Sequence, residues 1–167
     1  MELRDEAEIR PAVEVAFERE RKRIAELLPR ADVRHIGSTA IPGSLTKGDL
    51  DLLVRVIGDE FATASRALSE IYEPHQTDEW QDDFASFALP AGDEIAVGVQ
   101  LVIEAGESDQ LFLGFRDLLR SRPDLRDAYS ELKDTHRDDG IDSYREAKAR
   151  FIREAMRDRD DDVPVSR

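Results

Sequence analysis

The chain of 167 residues has no cysteine, which removes disulfides, thiolate metal sites and cysteine nucleophiles from consideration. Lysine is scarce as well. Of 24 basic residues, only Lys22, Lys47, Lys133 and Lys148 are lysine. No apolar run approaches the roughly 20 residues that span a bilayer. The start, "MELRDEAEIRP", is acidic and lacks the apolar segment of a secretory signal. A soluble, cytoplasmic protein with no membrane partner is therefore expected. Positive charge is in deficit: the formal net charge is −14. Such a surface repels nucleic acid phosphates, so nucleic acid is not an expected partner. Asp outnumbers Glu, a halophile-like composition that fits either a high-salt cytoplasm or the codon bias of a GC-rich genome. No G-x-G-x-x-G fingerprint, P-loop or G-x-S-x-G elbow is present.

Apolar residues make up 40% of the chain, enough for one domain with a single core and too many for global disorder. Pro11 to Leu28 reads as a helix, with Val13, Phe17, Ile24 and Leu28 on one face and Pro11 in its first turn. "DVRHIG" reads as a short strand, "STAIPGSLTKG" as loop with room for one turn, and "DLDLLVRV" as a central strand. "DEFATASRALSEIY" reads as a helix. "DFASFALPAGDEIAVGVQLVIE" reads as a hairpin turning at Pro90-Ala91-Gly92-Asp93. Helices are expected from Ser108, a candidate cap, to Leu119, from Pro123 to His136, and from Tyr144 to Arg157. The expectation is a single α+β domain over 1–158, a mixed β-sheet flanked by helices with a helical C-terminal part. Residues 159–167 are expected to be a disordered acidic tail.

Within "HIGSTAIPGSLTKGDLDLLVRV", the strand puts Asp49 and Asp51 where Val or Ile would be ordinary. Alternation points both carboxylates to one side and Leu50, Leu52, Val54 and Val56 to the other. Two carboxylates about 7 Å apart repel unless a cation lies between them. A hard divalent ion, Mg²⁺ or Mn²⁺, suits that place and leaves room for phosphate oxygens. An edge strand with a solvated polar face would give the same D-x-D. Upstream, the Gly37-Ser38 turn offers backbone N–H groups and a hydroxyl to phosphate, and Thr39 adds a second hydroxyl.

The segment "HIGSTAIPG" resembles the signature of the GrpB family within the nucleotidyltransferase superfamily. That superfamily's pattern of Gly-Ser, about ten residues, then Asp-x-Asp falls here on Gly37, Ser38, Asp49 and Asp51. "FRDLLRSRPDLRDAYSELK" and "YREAKARFIREAM" are similar to the family's C-terminal helices. The resemblance implies chemistry on a metal-bound nucleoside triphosphate, with Asp49 and Asp51 as catalytic metal ligands and an unidentified acceptor hydroxyl. Gly37, Ser38, Thr39, Lys133 and Lys148 are the implied phosphate-binding residues. Two departures stand out. Gly48 and Asp49 replace the family's usual Pro and aliphatic residue, so Asp51 is the better-matched aspartate. Active nucleotidyltransferases carry a third carboxylate on a later strand. Here that place falls on Gln100, with Glu104 and Glu94 as the nearest carboxylates on the same face. His35, Arg116 and Tyr144 complete the candidates. A nucleotide-binding module of the same fold without catalysis is the alternative.

Overall fold

The computed structural model describes residues 2–89, 92, 95–137 and 141–161. Its elements are β1 (Arg4–Asp5), α1 (Glu6–Leu27), β2 (Asp32–Ile36), β3 (Leu45–Thr46), β4 (Leu50–Val56), α2 (Phe61–Leu68) and β5 (Glu73–His75). They continue as β6 (Phe84–Leu89), β7 (Val97–Ile103), α3 (Glu107–Ser121), α4 (Pro123–Thr135) and α5 (Ile141–Asp161). Five strands form one sheet in the order β2-β4-β7-β6-β5. Only β4 and β7 run parallel among these neighbours. The fold is α+β with a mixed sheet flanked by helices.

The alternation of β4 divides the core. Leu50, Leu52 and Val54 are fully buried and pack with Val13, Ile24, Leu68, Val99 and Leu101 beneath α1 and α2. Each such side chain contributes about 1.5–3 kcal/mol by leaving water. On the opposite face Leu53 packs with Ile36 and Val102 against Phe112 and Leu113 of α3. A third cluster, Ile41, Leu119 and Tyr129 with Phe115, Leu125 and Phe151, joins the "AIPG" loop to α3, α4 and α5. The second face of the sheet is thus covered at one end by helices that arrive late in the sequence.

Several boundaries differ from the sequence expectation. Helix α1 begins at Glu6, not Pro11. The Glu6 N–H donates to the Ser44 carbonyl, and its buried carboxylate accepts from Gly43 N–H and from Arg10. The bonds to Ser44 and Gly43 are tertiary, and with the local Arg10 pair they hold a first turn ahead of the proline. Strand β4 begins at Leu50 because Gly48, with φ of 92°, turns the chain just before it. Asp49 therefore precedes the strand instead of belonging to it. Helix α2 is shorter than the pattern predicts, and the pattern does not predict the two-residue strands β1 and β3 or the short edge strand β5. Helix α3 starts one residue before Ser108, and Gly106 takes the cap position. The Ser108 N–H is satisfied instead by the Asp83 carboxylate at 3.3 Å. Helix α5 extends to Asp161, three residues into the expected tail. Residues 162–167 and most of the expected hairpin turn lie outside the described residues.

At the end of β4 away from Gly37, Arg55 binds Asp109 through two hydrogen bonds of 2.7 and 2.9 Å and Asp32 through a third of 2.6 Å. Asp109 also accepts the Ala105 N–H at 2.8 Å. These bonds raise the Arg55 pKa above its ordinary value. Without Asp109, Arg55 keeps Asp32 and Glu104 but loses two charge-assisted bonds, and the Ala105 N–H loses its acceptor. Asp109→Ala should therefore destabilise the protein by about 2–3 kcal/mol, read as a lower urea midpoint. Glu18→Ala, which breaks an exposed pair with Arg21, should leave the midpoint nearly unchanged.

Candidate functional site

Asp51 is the second residue of β4, set between Ile36 of β2 and Gly98 of β7 in register. Glycines stand against both of its oxygens. Gly37 has a φ of 74°, and a Cβ there would overlap Asp51 Oδ2. A Cβ on Gly98 would come within 2.8 Å of Oδ1. The carboxylate thus occupies space that side chains on either neighbouring strand would fill. Gly98 also leaves room for Gln100 two residues on, whose Nε2 would lie 3.4 Å from the same Cβ.

A cavity opens over this carboxylate. Its lining brings together Gly37, Ser38, Asp49, Asp51, Lys133 and Lys148, with Thr46, Lys47, Tyr129 and Tyr144 around them. Three of the chain's four lysines therefore meet at one cavity, while Lys22 lies exposed on α1. Lys133 comes from α4. It is 4% exposed, donates to the Leu45 carbonyl at 2.7 Å, and its Nζ lies 4.3 Å from the Tyr129 ring centroid. Lys148 comes from α5, and Lys47, from the loop before β4, lies 5.5 Å from the Tyr144 ring centroid.

Burial and crowding shift the titrations. Burial pushes the Asp51 carboxyl up to about 6, opposed by Lys148 and reinforced by Asp49. Burial pushes the Lys133 ammonium down to about 7, with Lys148 adding to the shift and Asp51 opposing it. The phenols of Tyr129 and Tyr144, hydrogen-bonded to each other, are both raised, mainly by burial. Two carboxylates, Asp49 and Asp51, meet three lysines at one cavity, in a chain that is otherwise strongly acidic.

Other expected residues lie elsewhere or are already engaged. His35 pairs with Leu52 across β2 and β4, so it faces α1, away from Asp51, and stacks on Phe17 at 5.5 Å. Burial, with Arg120 and Arg116 nearby, pushes its imidazole down to about 4. Thr39 is buried and donates to the Asp49 carbonyl at 2.9 Å. Its oxygen lies 2.9 Å from His35 Nε2, so the neutral imidazole donates through that nitrogen. The pair therefore braces the loop carrying Asp49 and does not line the cavity. Ser38 lines the cavity, with its hydroxyl donating to Thr46 at 3.1 Å. Glu104 follows β7 and pairs with Arg55 at 3.5 Å, at the far end of the sheet from Asp51. It is too distant in the fold to be a third ligand. Glu94 lies outside the described residues. Arg116 reaches from α3 to the His35 carbonyl at 3.1 Å. Lys47 and Gly98 were not singled out from sequence. Lys47 had a legible signal, a rare lysine inside the "HIGSTAIPGSLTKGDLDLLV" segment. Gly98 had none, since only the parallel pairing of β4 with β7 brings it to Asp51.

This arrangement defines a class first: an α+β sheet protein with a lysine-lined cavity built around a recessed carboxylate. The fold is shared with a structure of the Cid1 poly(U) polymerase with MgGTP bound. That match has a TM-score of 0.53 at 15% identity and covers 75% of this chain and 40% of that one. Residues 7–158 match the family described as GrpB protein, and the chain belongs to that family. It is 35% identical over 134 residues to a UPF0157 protein of Vibrio cholerae, covering 80% of this chain and 70% of the relative. The crystal structure of GrpB from Enterococcus faecalis superposes with a TM-score of 0.71 at 23% identity, covering 94% of this chain and 98% of that one. No described helix is long and apolar enough to cross a membrane.

The shifted Asp51 makes a stability prediction. Its folded carboxyl binds a proton more tightly than the free-chain value of 3.8. The folded state then holds more protons than the unfolded chain, so this group's contribution worsens as pH rises from about 4 to about 6. Asp51→Asn should stabilise the ligand-free protein at pH 7 by on the order of 1–3 kcal/mol. Urea titrations of parent and variant should converge below pH 4.

Proposed function

We propose that this protein binds a nucleoside triphosphate with Mg²⁺ or Mn²⁺ and transfers the nucleoside monophosphate to a hydroxyl on a small molecule or protein. The convergence of Lys47, Lys133 and Lys148 with Asp49 and Asp51 on one cavity carries this reading, on a fold shared with a polymerase seen with MgGTP bound. Ammonium groups from three separate segments suit three or more phosphate oxygens, as compact point charges do. The net charge of −14 argues against a nucleic acid acceptor.

The residues fit a hard cation. Asp49 and Asp51 supply two carboxylates on one cavity. Gln100 adds an amide whose Oε1 is buried without a hydrogen-bond partner. Among the described residues no group of three or more His, Cys, Asp or Glu forms a cage. Mg²⁺ commonly takes one or two carboxylates and completes its shell with water and substrate phosphates. When bound, the ion would neutralise phosphate charge and polarise the α-phosphorus. Lys133 and Lys148 would stabilise the charge that leaves on pyrophosphate. The acceptor oxygen forms its bond to the α-phosphorus as the bond to the bridging oxygen breaks, pyrophosphate leaves with that electron pair, and the hydroxyl proton is released to solvent.

Gln100 also favours a second reading, a nucleotide-binding module without catalysis. It stands on the Asp51 face as a neutral amide, and Glu104 is diverted to Arg55. Pyrophosphate release separates the two. A transferase should release it from at least one NTP with Mg²⁺ and cell extract as acceptor source, and Asp51→Ala should abolish release. NTP binding without release across acceptors and salt would establish the binding module, and Gln100→Glu would then be the variant to test for gained release.

The lysines give a separate outcome. Lys148→Met keeps most of the apolar stem and should weaken NTP binding roughly tenfold, as loss of a charge-assisted contact does. NMP binding should change much less. Calorimetry at fixed salt reads both. Equal NTP affinity in parent, Lys148→Met and Lys133→Met would remove the lysines from the site.

A further inference from the structure

Beside the lysine cavity lies a second one with the opposite lining. Its volume is about 160 Å³. Ile36, Ile41, Phe112, Phe115 and Ile152 form its walls, from the end of β2, the following loop, α3 and α5. It shares Gly37, Asp51, Tyr129 and Lys148 with the lysine cavity, so the two spaces meet at the Asp51 carboxylate. An apolar cavity of about 150 Å³ admits benzene. The space therefore suits one six-membered ring.

Gln100 lines this space, and its buried Oε1 has no partner. An unpaired buried acceptor costs free energy that an O–H donor recovers. The terminal torsion of a glutamine amide is soft, so the oxygen can turn to a ligand. Arg116 also lines the cavity, but its guanidinium is committed to the His35 carbonyl and to Asp117. The polar groups left for a ligand are one amide and, at the shared mouth, one carboxylate, one ammonium and one phenol. A nucleobase, polar around its rim, would set most of its donors and acceptors against isoleucine and phenylalanine. A ring with one hydroxyl would not.

We infer that this second cavity is the acceptor subsite and takes a compact single-ring alcohol of phenol type, its ring between α3 and α5 and its hydroxyl between Gln100 and Asp51. The inference rests on reading the lysine cavity as the triphosphate site, because only then is the occupant an acceptor. A free phenolic compound and a tyrosine side chain of another protein present the same ring.

Methyl NMR titrations of the full chain with phenol, toluene and uridine test this. N-acetyltyrosinamide and a Gly-Tyr-Gly peptide distinguish the sources, since binding of the peptide assigns a protein tyrosine and its exclusion a free phenol. Phenol should bind saturably in the millimolar range, about tenfold tighter than toluene, because a site that hydrogen-bonds a hydroxyl discriminates against its absence. Gln100→Leu should erase that preference. Ile152→Trp should abolish binding of both rings while Mg²⁺-tripolyphosphate binding stays at the parental level. Leu111→Trp, at a 44% exposed position lining the same cavity, gives a filling variant that does not load the core. Phenol binding equal to toluene, phenol binding untouched by both filling variants, or uridine displaced by them would overturn the inference. Absent tripolyphosphate binding in the parent would overturn the triphosphate reading instead, while the ring titrations would still report on the cavity.

Discussion

The Asp51 carboxylate stands where three strands meet, with a glycine beside each of its oxygens, and much of the surrounding structure compensates a charge that burial disfavours. Gly37 and Gly98 admit it. Lys133 and Lys148 face it from α4 and α5, and Lys47 from the loop before β4. Burial still prevails over those three cations, since the carboxyl is raised to about 6. Perturbed titrations of this kind cluster at functional sites and also occur in structural ion-pair networks.

Compensation requires the cations to be held in place, and this explains the polar bonding around the loop from Gly37 to Asp49. Leu45 accepts from Lys133 and donates to Ser130, so α4 is fastened to β3 at both backbone groups of one residue. Glu6 fixes Gly43 and Ser44 from the start of α1. His35 and Thr39 fix the Asp49 carbonyl from the opposite face. The loop has few apolar anchors beyond Ile41, and these bonds replace them. His35 and Thr39, which looked like site residues, belong to this bracing.

The two cavities divide the chemistry by polarity. One gathers ammonium groups beside two carboxylates, and the other offers aliphatic and aromatic walls with a single amide. Asp51 is common to both, as the proposed transfer between two bound partners requires. The neutral Gln100 beside it is the feature that most distinguishes this site from one with three carboxylates, and it is also the group left without a partner.

Local pattern determined a good part of the molecule. The alternation in "LDLLVRV" required a strand with one wholly apolar face turned to a core, because period-two apolar residues have nowhere else to go; that α3 covers Leu53 on the other face was decided by tertiary structure. The 3.6-residue spacing in α1, α3 and α4 required amphipathic helices. The "HIGSTAIPG" segment marked the family, and the scarcity of lysine pointed to Lys133 and Lys148. Boundaries depended on contacts that the local sequence does not contain. Helix α1 passes Pro11 because Ser44 and Gly43, far along the chain, hold its first turn. Asp49 leaves the strand because Gly48 turns, a conformation that a glycine permits but does not announce. The site itself was decided by tertiary structure. Glu104 and Gln100 share a face in any regular strand, yet Arg55 captures the glutamate and leaves the amide beside Asp51. Gly98 matters only because β7 pairs parallel to β4. Lys47, Lys133 and Lys148 are scattered along the chain, and only the packing of α4 and α5 over the sheet brings their charges to one carboxylate.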